Sequence, residues 1–161
     1  MTISLVRHAQ AGSRKSADGD DRARRLTHEG RHQAADIVGS LVEFGAVRVL
    51  SSPYRRCIET VAPLAAALGL FVEIDDRLAE GPSGGAVDLV RAIARSTPDV
   101  DVVLCSHGDI IPGVLDVVIR EDGVDLGADP RCQKGSVWML EPNPRLPGRF
   151  AVARYVPPPR S

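Results

Sequence analysis

The chain has 161 residues, enough for one domain with a sizeable core, since domains commonly run about 100 to 200 residues. Its formal net charge of -1 argues against a nucleic acid polymer or an anionic membrane as the main partner. The three cysteines form no Cys-x-x-Cys pair, so neither a disulfide framework nor a zinc site is indicated.

The first third of the chain predicts a strand, a loop, a helix and a second strand. The apolar residues 3–6 are typical of a strand, and the polar, glycine-bearing stretch 10–25 predicts a loop that would lie over the end of this strand. Thr27 is a good cap for a helix that Gly45 would end. Residues 47–50 then predict the second strand.

The middle of the chain continues this alternation. Pro53 suits the first turn of a helix that ends at Gly69, and residues 70–74 predict a further strand. Apolar residues at helical spacing predict another helix over 86–96.

The last third predicts one buried strand, a helix and an edge hairpin. The apolar run 100–105 suits a strand buried on both faces, and the helix predicted over 110–119 tolerates Pro112 in its opening turn. A loop over 121–133 then leads to strands over 136–140 and 150–156. The alternation predicts an α/β fold with an open, mostly parallel sheet.

Nothing in the chain indicates a second domain or an export signal. We expect one domain over residues 1–156 and a proline-rich tail over 157–161. No apolar run approaches the roughly 20 residues of a membrane span, and the first strand begins almost at Met1. The expected location is therefore the reducing cytoplasm. The sequence carries no signal of the oligomeric state.

Arg7 and His8 stand side by side at the end of the first strand. A guanidinium presents donors that match phosphate oxygens, and a neutral imidazole has a lone pair that can attack phosphorus. A single histidine at a strand end more often bonds to backbone, so this pair needs support from the rest of the chain.

Three later segments give that support. Arg55 and Arg56 follow the second strand, Glu80 follows the next, and His107 and Gly108 follow the buried strand. The carboxyl ends of parallel strands lie along one edge of a sheet, where ligands bind. We therefore expect these side chains to converge near His8.

Four motifs in this order resemble the histidine phosphatase superfamily, the phosphoglycerate mutase-like fold: Leu5-Val6-Arg7-His8, Ser51-Ser52-Pro53-x-x-Arg56-x-x-x-Thr60, Leu78-x-Glu80 and Ser106-His107-Gly108. Residues 25–34 also resemble the phosphohistidine phosphatases, its short bacterial branch. Residues 7–14 and 134–138 are similar to phosphatase domains fused C-terminally to some Nudix hydrolases. The resemblance implies a three-layer α/β sandwich with helices on both faces of the sheet.

The resemblance also implies roles for individual residues. His8 matches the histidine that becomes phosphorylated, and Glu80 matches the proton donor. Arg7, Arg56 and His107 match the residues that hold the phosphoryl oxygens.

Weaker matches extend this phosphate-binding set. Gly108 follows His107 in the motif, and Ser13 and Arg14 fall where relatives place further phosphate contacts. Arg56 rather than Arg55 lies four residues before Thr60, as the motif requires, so we expect Arg55 to be peripheral.

Two residues depart from the motif. Ala9 replaces the glycine of Arg-His-Gly, as in the phosphohistidine branch. Asp109 adds a negative charge beside an anion site, and we expect it to cap the following helix.

The implied activity is a metal-independent phosphatase that needs no cofactor and acts on small phosphorylated metabolites or nucleotides through a phosphohistidine. Two alternatives remain: a phosphatase for phosphohistidine on another protein, and a non-catalytic phosphate-binding module. A mutase is disfavoured because no long insertion follows Glu80, and a binding module because His8, Arg56 and His107 are all present.

Two further features receive structural interpretations. His28 and His32 lie four residues apart on one predicted helix with Glu29 between them, and we expect a solvated helix face rather than a metal site. Trp138 is interpreted as core or edge packing rather than as a platform for stacking bases.

Overall fold

A computed structural model describes residues 1–14, 19–96, 99–127 and 131–159. Parts of the loops predicted over 10–25 and 121–133, and the end of the predicted tail, lie outside these residues. The main elements are β1 (Ile3–Arg7), α1 (His28–Leu41), β2 (Arg48–Ser51), α2 (Arg55–Ala67), β3 (Val72–Ile74), α3 (Gly84–Ser96), β4 (Val102–Ser106), α4 (Ile111–Asp122), β5 (Val137–Pro142) and β6 (Phe150–Val156). Short 3-10 helices span Asp21–Ala23, Val42–Phe44 and Asp76–Leu78.

The strands form one six-stranded sheet in the order β3-β2-β4-β1-β5-β6. The first four strands are parallel, whereas β5 runs antiparallel to both β1 and β6. The predicted mostly parallel sheet with a hairpin at one edge is therefore confirmed. In the register of β1 and β4, Arg7 lies opposite Ser106, so His8 and His107 leave neighbouring strands at the same level.

Helices cover both faces of the sheet, as the α/β sandwich requires. On β4, Val102 and Leu104 face a core shared with α3 and α4, while Val103 and Cys105 face a core shared with α1 and α2. All five residues of β4 are buried, which confirms the strand predicted to be covered on both sides. No helix in the described part of the chain is long and apolar enough to cross a membrane.

The helix ends show where local sequence decides structure. Thr27 caps α1, because its Oγ1 accepts a 3.0 Å hydrogen bond from the Gly30 amide. The helix predicted to end at Gly45 ends at Leu41, and Gly45, with a φ of 63°, ends the 3-10 helix Val42–Phe44 that follows it. The stop predicted at residue 119 was wrong: α4 continues to Asp122, and Gly123 ends it in the left-handed conformation.

Pro53 does not lie in the first turn of α2, so this prediction was wrong. The helix begins at Arg55, and its N-cap Tyr54 is extended with φ -69° and ψ 134°. The Ser52 hydroxyl accepts a 3.2 Å hydrogen bond from the Tyr54 amide and holds a turn through Pro53.

Candidate active site

The carboxyl ends of β1 and β4 open into a cavity of about 410 Å³. It is lined by Arg7, His8, Arg14, Arg24, Glu80, Gly108, Asp109 and Lys134. The buried side chains of Arg56 and His107 approach the cavity through their contacts with Glu80. The structure thus brings together most of the residues singled out in the sequence, while Ser13 is exposed and does not line this cavity.

His8 is almost completely buried, with 4 % of its surface exposed. Its Nδ1 lies 2.8 Å from the carbonyl oxygen of Ala9, so a neutral ring carries its proton on Nδ1 and keeps the lone pair on Nε2. Burial lowers the pKa of His8 to about 3, and the positive charges of Arg56, His107 and Arg7 contribute, whereas the bond to Ala9 opposes the shift. His8 is therefore neutral across the ordinary pH range.

The loop after His8 is fixed by the motif residues of α1 and α2. The Ala9 amide donates a 2.9 Å hydrogen bond to Thr60 Oγ1, and the Thr60 hydroxyl in turn donates to the Arg56 carbonyl at 2.6 Å. A side chain at Gly30 would collide with the Gln10 carbonyl. The methyl group of Ala9 packs with Leu26 and Ala34, so the residue that departs from the glycine motif is part of the core.

Arg56 lies fully buried beneath two carboxylates. Its Nη2 donates to Glu80 Oε1 at 2.5 Å and to Asp21 Oδ2 at 3.2 Å, and its Nη1 donates to the Asp21 carbonyl at 2.8 Å. Burial raises the pKa of Asp21, but the charges of Arg56 and Arg24 outweigh it and hold the pKa below its usual range. The sequence analysis did not identify Asp21, because two adjacent aspartates in a long loop do not indicate which arginine either of them will contact.

Arg7 is held from the opposite side of the cavity. The Nη1 atom of Arg7 donates a hydrogen bond to the Cys132 carbonyl at 2.5 Å. Gly108 leaves space for the Arg7 guanidinium, because a Cβ atom on residue 108 would come within 2.7 Å of this group. Among the described residues, the buried Nε atoms of Arg7 and Arg56 have no hydrogen-bond partner. Both arginines therefore keep donor capacity for a ligand.

His107 is buried between two polar partners. Its Nε2 lies 2.8 Å from the Ser52 hydroxyl, and its Nδ1 lies 3.5 Å from Glu80 Oε1. The ring centroids of His107 and His8 are 5.5 Å apart. Ser52 therefore orients the ring, which gives the second serine of the Ser-Ser-Pro motif a structural role.

Glu80 reaches the site on a short, tethered segment. The Ser106 hydroxyl donates a 2.6 Å hydrogen bond to the Leu78 carbonyl and ties this segment to β4. The prediction that Asp109 caps α4 was wrong: Ile110 is the N-cap, and Asp109 Oδ2 accepts a 3.0 Å bond from the Gly81 amide. The two residues bordering the site, Asp109 and Gly81, thus pin the loop that carries Glu80.

Three predictions about peripheral residues agree with the structure. Arg55 is exposed and its Nε lies 3.6 Å from Glu59 Oε1. His28 and His32 are exposed on one turn of α1. Trp138 is 2 % exposed and its Nε1 donates to the Arg131 carbonyl at 2.6 Å, so it is a core residue.

Comparisons with known proteins agree with this geometry. The family model of the histidine phosphatase superfamily (branch 1) matches residues 3–88, more than half of the chain. An 8-oxo-(d)GTP phosphatase of Mycolicibacterium smegmatis is 32 % identical over 162 residues, which cover 98 % of this chain and 48 % of that protein. The chain therefore spans about half the length of this relative.

Solved structures share the fold. The protein histidine phosphatase SixA complexed with tungstate gives a TM-score of 0.71 at 21 % identity, covering 95 % of this chain and 96 % of SixA. A mycobacterial glucosyl-3-phosphoglycerate phosphatase complexed with VO3 gives 0.71 at 18 % identity, covering 96 % of each chain. The resemblance to Nudix-fused domains stays a prediction from the sequence. The family model, together with the shared fold, places the chain in the histidine phosphatase superfamily, to which it belongs.

Proposed function

We propose that this chain is a phosphoric monoester hydrolase that acts on small phosphorylated metabolites or nucleotides through a phosphohistidine at His8. The observation that carries the proposal is the 2.8 Å hydrogen bond between His8 Nδ1 and the Ala9 carbonyl. It leaves Nε2 unprotonated at the wall of a cavity rich in cations. A neutral imidazole in that position is a ready nucleophile.

In the first step, Nε2 of His8 forms a bond to phosphorus while the bond to the leaving oxygen breaks. Arg7, Arg56 and His107 neutralise the charge on the three remaining phosphoryl oxygens. A substrate phosphate that takes donors from Arg56 frees the Glu80 carboxyl from its ion pair. Glu80 then accepts the proton of a substrate that binds as the phosphate monoanion and passes this proton to the leaving oxygen.

In the second step, water attacks the phosphorus of phosphohistidine. The Glu80 carboxylate accepts the proton of this water, and the bond to Nε2 of His8 breaks with its electron pair returning to the ring. Inorganic phosphate takes the proton from Glu80 and leaves as the monoanion, so Glu80 returns to a carboxylate and His8 to a neutral ring. The cationic side chains supply the charge that a metal ion supplies in other phosphoryl transfer enzymes, so we propose no metal and no cofactor.

The open access to the cavity supports the hydrolysis of substrates that enter from solvent. Glu80 is followed by only three residues before α3 begins at Gly84, and the described cavity opens to solvent above His8. Such a site admits either a small molecule or a phosphorylated side chain of a protein. We favour small phosphomonoesters because Glu80 provides the acid that an alkoxide leaving group needs.

The second candidate is a phosphohistidine phosphatase for proteins. The fold likeness to SixA and the open cavity favour it. The substrate named for the mycobacterial relative makes nucleotides the first small molecules to test. We propose a cytoplasmic location, since the three cysteines are free thiols in the described structure.

A substrate panel tests this proposal. Phosphate release is measured with nucleotides, sugar phosphates, p-nitrophenyl phosphate and a phosphohistidine protein, each with and without EDTA. We expect turnover of phosphomonoesters that EDTA leaves unchanged. Turnover restricted to the phosphohistidine protein would favour the second candidate, and no turnover of any compound would favour a binding module.

A further inference from the structure

We infer that Lys134 binds a second phosphate group of the substrate, so that the preferred substrates carry two phosphates. The inference deepens the proposed function and rests on it. The second group is either joined to the transferred phosphate as an anhydride or placed on another carbon of the same small molecule. Both arrangements present the same chemistry, a second anionic phosphate within reach of the cavity wall.

The cationic side chains around the cavity differ in whether a carboxylate neutralises them. Arg14 and Arg24 share the carboxylate of Asp21, with N–O distances of 3.8 and 3.0 Å. Lys134 lines the same cavity, yet it has neither a carboxylate nor a hydrogen-bond partner among the described residues. Its positive charge is therefore available to a ligand.

The two carboxylates that line the cavity are already engaged. Glu80 pairs with Arg56, and Asp109 accepts a bond from the Gly81 amide. The groups around Lys134 are positive: burial lowers the pKa of Lys134, and Arg7, Arg24 and Arg56 lower it further. An anion that reaches this place relieves the repulsion among these cations.

Backbone hydrogen bonds tie the segment that follows Lys134 to Arg7 and His8. The amide of Gly135 donates to the carbonyls of Arg7 at 3.1 Å and of His8 at 3.2 Å, and the Arg7 amide donates to the Ser136 carbonyl at 3.0 Å. Gly135 has a φ of 80°, which other residues rarely adopt. The position of Lys134 relative to His8 is therefore set by three backbone hydrogen bonds.

The transferred phosphate does not need this lysine. Arg7, Arg56 and His107 already provide three positive or donor groups for its oxygens. At about 30 Å³ per water molecule, the cavity of about 410 Å³ has the volume of roughly fourteen water molecules, well beyond one phosphoryl group. The additional positive charge of Lys134 and the additional space favour a second anionic group on the ligand, which the Lys134 ammonium would bind as a point charge.

The test compares Lys134→Met with Lys134→Arg on matched substrates. ADP against AMP examines the anhydride arrangement, and fructose 1,6-bisphosphate against fructose 6-phosphate examines separate phosphates. In Lys134→Met we expect KM to rise about tenfold for at least one doubly phosphorylated substrate, the loss of one hydrogen bond to a charged group. For AMP and fructose 6-phosphate we expect KM to stay within about twofold, and Lys134→Arg should retain most of the preference.

Arg145→Met is the matched control, because Arg145 is exposed on the hairpin between β5 and β6 and its loss changes the net charge equally. It should behave as the unmodified protein on all four substrates. An equal loss on singly and doubly phosphorylated substrates in Lys134→Met, or no loss on any, overturns the inference.

A binding measurement tests the Lys134 subsite independently of whether the protein hydrolyses phosphomonoesters. Calorimetry with pyrophosphate and with inorganic phosphate needs no turnover. Weaker pyrophosphate binding in Lys134→Met, with unchanged phosphate binding, supports the subsite even in a protein that hydrolyses nothing. Equal pyrophosphate affinity in the two proteins contradicts it, whatever the activity.

Discussion

The Asp21 carboxylate and backbone carbonyl both accept hydrogen bonds from the buried guanidinium of Arg56, at 3.2 and 2.8 Å. An acidic residue thus occupies donors of the arginine that the family motif assigns to phosphate. A substrate phosphate must compete with Asp21 for this guanidinium, because both present oxygen anions to the same fork of donors. We therefore expect Asp21 to limit how readily the site accepts phosphate.

Asp21→Asn should tighten the binding of inorganic phosphate, because it removes a competing charge and keeps the shape of the side chain. We expect the Kd to fall about threefold, the scale of a partly exposed ion pair. Calorimetry measures the change. Asp20→Asn is the control, since Asp20 caps the 3-10 helix through the Arg22 amide and does not contact Arg56 in the described structure. Weaker phosphate binding in Asp21→Asn would instead mean that Asp21 positions Arg56.

Two adjacent arginines should differ sharply in activity. Arg56→Ala should lower kcat/KM by roughly two orders of magnitude or more, because it removes charge stabilisation from the transferring group. Arg55→Ala should cost little, since Arg55 only pairs with Glu59 on the surface.

Because Arg56 is fully buried, its alanine variant also needs a folding control. Arg56→Lys keeps the charge but not the planar fork, so it should fold and still lose much of the activity. A fully active Arg56→Lys protein with an inactive Arg55→Ala protein would show that the register of this motif has been assigned wrongly.

Burial of His8 makes the stability of the fold depend on pH. The pKa of His8 is about 3 in the folded protein against an ordinary value of 6.5, so between these values the unfolded chain binds a proton that the folded chain does not. The free energy of unfolding therefore falls as pH drops below about 6.5. At about 1.4 kcal/mol per pH unit, His8 alone accounts for a loss of about 2 kcal/mol between pH 7 and pH 5.

His8→Asn removes this titration. Urea unfolding at pH 7 and pH 5 should show that the variant loses about 2 kcal/mol less stability than the unmodified protein over this interval. The same loss in both proteins would mean that His8 is not kept neutral by its surroundings.

Glu80→Gln separates classes of leaving group. An alkoxide needs a proton as it departs, whereas nitrophenolate and the imidazole of phosphohistidine leave with less help. We expect the variant to slow alkyl phosphates by roughly two orders of magnitude and p-nitrophenyl phosphate far less. Equal loss on every substrate would show that Glu80 acts mainly by holding Arg56, and no loss on any would favour the phosphohistidine substrate.

The sequence predicted those parts of the site that sit directly at strand ends. Arg7, His8 and His107 lie at the carboxyl ends of β1 and β4. The parallel pairing of these strands is a consequence of the alternating elements, so the proximity of the three residues was predictable. Asp21 and Lys134 come from long loops, and their positions at the site depend on loop paths that no periodic pattern encodes. Pro53 and Asp109 were assigned to helix starts from local preference. The hydrogen bond from the Tyr54 amide to the Ser52 hydroxyl and the bond from the Gly81 amide to Asp109 hold them outside the helices instead.

The most direct test of the account is to trap the phosphorylated enzyme. Rapid quenching in base during turnover of a labelled substrate, followed by peptide mapping, should place acid-labile, base-stable phosphate on His8. The control variant His8→Asn should carry no label and show no turnover. Label on another residue, or turnover by His8→Asn at the rate of the unmodified protein, would contradict a mechanism through His8.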